Sequence, residues 1–116
     1  MPALNFKAQF AAAVACGGKT QTIRAPRQRP IRAGDTLHLF TGMRTKACRR
    51  LRTVLCTAVR PVRISQARVW VDERELSLEE IKTLAVRDGF FDCVAFIDFF
   101  CATHGLPFEG QLIEWL

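Results

Sequence analysis

Gly17-Gly18-Lys19-Thr20-Gln21-Thr22-Ile23-Arg24 joins an alanine-rich segment to a polar one near the start of the chain. The consecutive glycines favour the end of a helix, because glycine readily adopts the left-handed conformation found at helix C-termini. A half-buried strand normally alternates apolar and polar residues, whereas only Ile23 is apolar here. The stretch therefore predicts a short strand that contributes little core and much hydrogen-bonding capacity, which is typical of a ligand site.

A phosphate-binding loop is the first function to test against this stretch, because Gly18-Lys19-Thr20 matches the end of that motif. The motif requires an earlier glycine at the position that Ala13 occupies. It also lies between a strand and a helix, in that order, whereas Lys7–Cys16 is predicted as helix and Thr20–Arg24 as strand. The helix is predicted because Phe6, Phe10 and Val14 recur every four residues. An NTP-hydrolysing site is therefore disfavoured.

The chain has 116 residues, which is enough for one domain with a single core. No apolar run approaches membrane-spanning length and no signal-peptide pattern is present, so we expect a cytoplasmic protein with no membrane partner. The five cysteines are odd in number and none are spaced C-x-x-C. We therefore expect free, mostly buried thiols rather than a disulfide framework, and neither a metal site nor a cofactor.

Charge is divided unequally along the chain. Residues 1–68 contain 14 Lys and Arg and the single acid Asp35, while residues 69–116 contain 3 Lys and Arg and 10 acids. The two parts therefore carry +13 and −7. Such segregation indicates either a basic surface suited to phosphates or nucleic acid, or two oppositely charged parts that neutralise each other in the fold.

Strand and helix patterns are mixed along the chain. Alternation, β-branched content and turn residues predict strands at Thr36–Thr41, Arg52–Ile64, Val69–Val71 and Phe108–Leu116. Ser77 and Glu80 form a capping-box pattern that begins a helix ending near Arg87, and Asp92 is expected to cap a second helix that ends near Gly105. The apolar face of this second helix is expected to consist of Val94, Ile97, Phe100 and Cys101. These elements predict an α+β domain with a mostly antiparallel, barrel-like sheet and flanking helices.

The order of these motifs resembles the ASCH domain, a small β-barrel of the PUA-like superfamily. The resemblance rests on Gly18–Arg24 after a short helix, Gly34-Asp35 before a strand, and Asp88-Gly89-Phe90 between the late helices. Residues 29–35 and 41–46 are similar to ASCH proteins of phage and prophage genomes, and the similarity extends over nearly the whole chain. It implies a single PUA-like domain over residues 1–116.

Some small bacterial ASCH proteins are amidohydrolases that remove the acetyl group from the exocyclic nitrogen of acetylcytidine. Their site uses a lysine and a threonine from this strand and an acid from the later helical region. The resemblance places these roles on Lys19, Thr22 and Asp88. The family has glutamate where this chain has the shorter Asp88, so Glu73 and Glu75 are alternative acids.

Amide hydrolysis needs a nucleophile, a proton acceptor and donor, and groups that stabilise the oxyanion. In one assignment, Thr22 is the nucleophile, Lys19 with a depressed pKa activates it, and Asp88 is the general acid and base. In another, Asp88 activates water while Lys19 polarises the carbonyl. In an ideal strand, Lys19 and Thr22 point to opposite sides, so they converge only if Lys19 lies in the turn before the strand.

Further residues are predicted to bind substrate or to pack in the core. Thr20 and Arg24 share a strand face with Thr22, and Thr41, Arg44 and Lys46 lie at the end of another strand and in its basic loop. Of the phenylalanines in the late helical segment, we expect at least three to be core rather than base-stacking residues: Phe90, Phe91, Phe96, Phe99 and Phe100.

Three functions therefore remain open at this point. The first is an amidohydrolase that acts on an acylated cytidine-type nucleoside. The second is a non-catalytic RNA-binding module, favoured by the basic first part of the chain. The third is a phage-encoded inhibitor of a host factor. The partner is thus a nucleoside substrate or RNA in the first two cases, and the sequence does not indicate an oligomeric state.

Overall fold

The structure, a computed structural model, describes residues 2–116. It is an α+β fold in which three helices accompany a seven-stranded sheet. The elements in chain order are β1 (Ala3–Phe6), α1 (Ala8–Cys16), β2 (Gln21–Arg24), β3 (Thr36–Thr41), β4 (Arg49–Ile64), β5 (Val69–Val71), β6 (Arg74–Glu75), α2 (Leu78–Arg87), α3 (Cys93–His104) and β7 (Phe108–Trp115).

The long strand β4 organises the sheet. Its first part pairs antiparallel with β3, from Arg49 opposite Thr41 to Leu55 opposite Thr36. Its second part pairs antiparallel with β7, from Cys56 to Ile64, and β7 in turn pairs with β2. The polar strand β2 is therefore held against the final strand of the chain, with Thr22 opposite Ile113.

The predicted mostly antiparallel sheet is confirmed, but the strand pairs among residues 2–116 do not close into a ring, so the structure does not show a barrel. The prediction also missed β1 and β6. Phe6 was placed in the first helix by its spacing from Phe10, yet it lies in β1, which pairs parallel with β3. A strand of four residues whose partner is remote in sequence has too weak a local pattern to be recognised.

The helices largely match their predicted bounds and caps. Ser77 accepts a hydrogen bond from the Glu80 backbone N–H while the Glu80 carboxylate accepts one from the Ser77 N–H, completing the capping box. Asp92 caps α3 by accepting from the N–H of Ala95. The predicted apolar face of α3 was right for Phe100 and wrong for Val94 and Cys101, which are exposed. The residues that α3 buries are Phe96 and Phe100.

The core lies between the sheet and the helices. Phe90, Phe96 and Phe100 are buried, which confirms the expectation of at least three core phenylalanines, whereas Phe91 is 92% exposed. All five cysteines are free, but Cys56 alone is buried among these described positions, so the expectation of mostly buried thiols was wrong. No helix within residues 2–116 is both long enough and apolar enough to cross a membrane.

Candidate functional site

A tight turn places Lys19 ahead of the polar strand rather than within it. Gly17 ends α1 in the left-handed conformation, with φ of 84°, and its N–H donates to the carbonyl of Val14. The Lys19 N–H then donates to the carbonyl of Ala13 at 2.9 Å. Because β2 begins only at Gln21, the strict alternation of a strand does not apply to Lys19. The condition for Lys19 and Thr22 to face one cavity is thereby met.

Asp88 reaches the same region from the end of α2. It follows Arg87 as the C-terminal cap, and its N–H donates to the carbonyl of Leu84. Gly89 then turns the chain with φ of +94°, which favours glycine. A Cβ at Gly89 would lie 2.9 Å from Cδ1 of Phe10 and 3.4 Å from Cδ of Lys19. The backbone therefore passes close against α1 and the lysine side chain.

Lys19 and Asp88 form a buried ion pair. The Lys19 Nζ donates to the Asp88 Oδ1 at 3.2 Å and to the Asp88 backbone carbonyl at 2.5 Å. Their side chains are only 3% and 5% exposed. Gln21 Nε2 also donates to Oδ1, at 3.3 Å, while no side chain or backbone group in the described part of the chain bonds Oδ2. One carboxylate oxygen is thus anchored and the other is available to a ligand.

Burial moves the pKa values of this pair towards each other. Desolvation lowers the pKa of Lys19, and the positive charge of Arg24 lowers it further, although Asp88 opposes the shift. Desolvation raises the pKa of Asp88, opposed by Lys19 and by the hydrogen bond from Gln21. Both shifts reduce the free-energy difference between the ion pair and its neutral form, which favours general acid and base chemistry.

Thr22 is held by its neighbour on the same strand face. The Arg24 Nε donates to the Thr22 Oγ1 at 2.9 Å, and the Arg24 Nη2 donates to the carbonyl of Asn5 at 2.7 Å. Within residues 2–116, the hydroxyl proton of Thr22 has no acceptor. Desolvation lowers the pKa of Arg24 to about 10, so it remains a cation at neutral pH. Its charge stabilises any negative charge that develops on the hydroxyl oxygen.

These groups line one cavity of about 530 Å³, here called the site cavity. Its polar wall includes Lys19, Thr22, Arg24 and Asp88. Five phenylalanines form the apolar wall: Phe6, Phe10, Phe90, Phe99 and Phe100. The Lys19 Nζ lies 5.0 Å from the centroid of the Phe10 ring. A polar wall facing aromatic rings is a suitable environment for a flat heteroaromatic ligand.

The other predicted site residues are placed elsewhere. In the part of the chain that the structure describes, none of Thr20, Thr41, Arg44 and Lys46 lines the site cavity. The Thr41 hydroxyl donates instead to the backbone carbonyl of Phe6, while Arg44 and Lys46 are exposed. The alternative acids are also remote, because Glu73 borders another groove and Glu75 pairs with Arg68.

Two residues that the sequence reasoning overlooked support the site, Gln21 from behind Asp88 and Asn5 in the lining of the cavity. Gln21 is only 1% exposed, although the strand was expected to contribute little core. A buried amide at this position is explained by its bond to Asp88, a partner 67 residues away that no local pattern reveals. Asn5 connects the cavity to the basic loop, because its side-chain oxygen accepts from the N–H of Met43. No group of three or more His, Cys, Asp and Glu among residues 2–116 could hold a metal ion.

Comparison with known proteins found no matching family model, no similar curated protein and no similar solved structure.

Proposed function

We propose that this protein is an amidohydrolase that removes an acyl group, in the simplest case acetyl, from the exocyclic nitrogen of a cytidine-type nucleoside. The observation that carries the proposal is that Lys19, Thr22 and Asp88 line one aromatic cavity although 66 residues separate Thr22 from Asp88. The cavity walls supply a hydroxyl, a buried amine and carboxylate pair, and apolar faces that suit a pyrimidine ring.

The reaction is assigned to these groups in two steps. The Thr22 Oγ adds to the acyl carbon, its proton passes to the Lys19–Asp88 pair, and the carbon–nitrogen bond breaks as the exocyclic amine takes that proton. Water then adds to the acyl–threonine ester, the ester bond breaks, and the carboxylic acid leaves with the hydroxyl of Thr22 restored. The Arg24 guanidinium, bonded to the Thr22 oxygen, supports its attack as an alkoxide.

The competing route uses the same site without an acyl–threonine ester. The free Oδ2 of Asp88 accepts a proton from water, which attacks the acyl carbon while the Lys19 ammonium stabilises the oxyanion. The carbon–nitrogen bond then breaks as Asp88 returns the proton to the departing exocyclic amine, and the carboxylic acid is released. Thr22 then only orients the substrate. Removing the Thr22 hydroxyl abolishes the first route but not the second, so a variant at Thr22 distinguishes them.

The test is release of cytidine from acetylcytidine by the purified protein. We expect Lys19→Met and Asp88→Asn to lower kcat/KM at least about a hundredfold, because each removes a proton-transferring group. Thr22→Ser should retain activity and Thr22→Val should lose it, whereas substantial activity of Thr22→Val selects the water route. Exposed matched controls are Lys82→Met, Asp98→Asn and Thr57→Val. Absence of release by the unaltered protein would overturn the proposal.

We propose further that the chain is a member of the ASCH family, that its open sheet corresponds to the PUA-like barrel, and that the protein is cytoplasmic. The family assignment is supported by the motif order and by the meeting of Gly18–Arg24 with Asp88-Gly89-Phe90 around one cavity. The location is supported by the free state of all the cysteines, which is usual in a reducing compartment.

A second candidate function, RNA binding without catalysis, is favoured by one further observation. Ion pairs in the described residues involve only five of the Lys and Arg side chains, namely Lys19, Arg60, Arg68, Arg74 and Lys82. Exposed arginines of the first part of the chain, including Arg29, Arg49 and Arg50, are thus left for phosphate groups. Retention of labelled RNA that falls steeply with salt, and that Arg49→Gln with Arg50→Gln weakens, would support this function. Retention unchanged by salt would contradict it.

A further inference from the structure

The site cavity carries an excess of positive charge. Four cationic side chains line it, those of Lys7, Lys19, Arg24 and Arg27, against the single carboxylate of Asp88. Lys19 is paired with that carboxylate, so the excess belongs to the other three. An anionic ligand would neutralise this excess positive charge, whereas an uncharged nucleoside would not.

Two of these three cations, Lys7 and Arg27, lie at the open end of the cavity. Lys7 and Arg27 are exposed, and no hydrogen bond or ion pair to another residue in 2–116 engages their side chains. The Lys7 Nζ lies 4.9 Å from the centroid of Phe99, a ring that lines the cavity. Arg27 is near enough to Arg24 to lower its pKa. By contrast, Lys19, Thr22 and Asp88 are 3–4% exposed, so the reacting groups are at the buried end.

The chemistry of cytidine fixes which part of the substrate meets these cations. The exocyclic nitrogen and the ring nitrogen that carries the sugar are on opposite sides of the pyrimidine ring. When the acylated nitrogen is at the buried end, the sugar points to the open end and carries its 5′ substituent towards the solvent. Resting on the proposed function, we infer that the substrate is an acylated cytidine 5′-monophosphate, whose phosphate is bound by Lys7 and Arg27.

Competition between substrates tests this inference. We expect the unaltered protein to have about a tenfold higher kcat/KM for acetylcytidine 5′-monophosphate than for acetylcytidine. A tenfold preference is about the binding gain that two exposed charge contacts with a phosphate provide. Raising the salt concentration should reduce this preference, because exposed charges are screened. In the double variant Lys7→Gln/Arg27→Gln the ratio of the two kcat/KM values should fall to about one. The control Arg68→Gln/Lys82→Gln removes the same charge elsewhere and should keep the ratio.

The outcomes separate this inference from the proposed function. Equal kcat/KM for the two substrates in the unaltered protein would overturn the inference and leave the amidohydrolase standing. A higher kcat/KM for a short RNA containing internal acetylcytidine than for the monophosphate would also overturn it. If neither substrate is hydrolysed, the proposed function fails, and calorimetric titration tests the part of the inference that places a phosphate on Lys7 and Arg27. Tighter binding of cytidine 5′-monophosphate than of cytidine, lost in the double variant, would support it, and equal binding would reject it.

Discussion

Asp88→Asn tests the buried ion pair that defines the site. The substitution retains the shape of the side chain and an oxygen that can still accept from Lys19 and Gln21, but it removes the negative charge. Lys19 is 3% exposed and its nearest carboxylate oxygen is Asp88 Oδ1 at 3.2 Å. The variant therefore leaves a buried ammonium without its counter-charge.

The expected cost follows from this geometry. Opposite charges 3.2 Å apart attract each other by about 5 kcal/mol at an effective dielectric constant of about 20. Measured losses on breaking a buried pair are about 3–5 kcal/mol. We expect the free energy of unfolding to fall by about 3 kcal/mol at pH 7, at the low end of that range, because asparagine preserves a hydrogen-bond acceptor and Lys19 can release its proton.

The pH dependence gives a second, independent readout. In the variant, the pKa of Lys19 is lowered further, because the charge that opposed desolvation is gone. The native state then binds fewer protons than the unfolded state below the ordinary lysine pKa of 10.5, so stability rises with pH towards that value. The deficit relative to the unaltered protein should therefore shrink between pH 7 and about pH 10.

The assay is guanidinium-induced unfolding of the unaltered protein, Asp88→Asn and the exposed control Asp98→Asn, each followed at several pH values. The control should remain within about 0.5 kcal/mol of the unaltered protein. A loss below about 1 kcal/mol for Asp88→Asn at pH 7 would refute the claim that the variant leaves a buried charge without its counter-charge. A deficit that does not shrink as the pH rises would refute the argument that Lys19 is the group left uncompensated.

Three further substitutions test the surroundings of the site and one helix cap. Gly89→Ala should lower the free energy of unfolding by about 2–4 kcal/mol, because φ is +94° and the new Cβ would overlap Phe10. Denaturant unfolding measures this loss, and an unchanged midpoint would contradict the close packing. Gln21→Leu removes a hydrogen bond that favours the charged form of Asp88, so the pKa of Asp88 should rise. The acid limb of the pH–activity profile should then move to higher pH. An acid limb that does not move would exclude Asp88 as the titrating group. The pKa of Glu80 is lowered from 4.5 to about 2, mainly by the hydrogen bond from Arg74 and next by that from the Ser77 backbone. The contribution of ionised Glu80 to stability is therefore present above pH 4.5 and is lost as the pH falls through about 2. Unfolding between pH 6 and 2 should show a shallower acid loss for Glu80→Gln than for the unaltered protein, and identical slopes would contradict this account.

The elements that were predicted correctly carry their information locally. The capping box at Ser77 and the Asp92 cap join residues only three positions apart, and the glycines after α1 act on their own turn. The missed strand β1 and the partly wrong apolar face of α3 depended instead on partners remote in the chain. By its local spacing Phe6 fits a helix, and only the pairing of β1 with β3 shows that it lies in a strand. By its local spacing Val94 fits an apolar face, and only the packing of α3 shows that Phe96 and Phe100 are the buried residues.

The sequence alone determined which chemical groups this protein possesses, the end of α1 at its glycines, and the mixed α and β character of the chain, because each follows from residue types within a few positions of one another. It left open whether Lys19 lies in the turn before the strand. The tertiary structure decided which of those groups meet. It brought Asp88 to Lys19 and Gln21, left Thr41, Arg44 and Lys46 outside the cavity, and kept the sheet open. These outcomes depend on strand pairing and helix packing between distant segments, and the energies that govern them are distributed over the whole core.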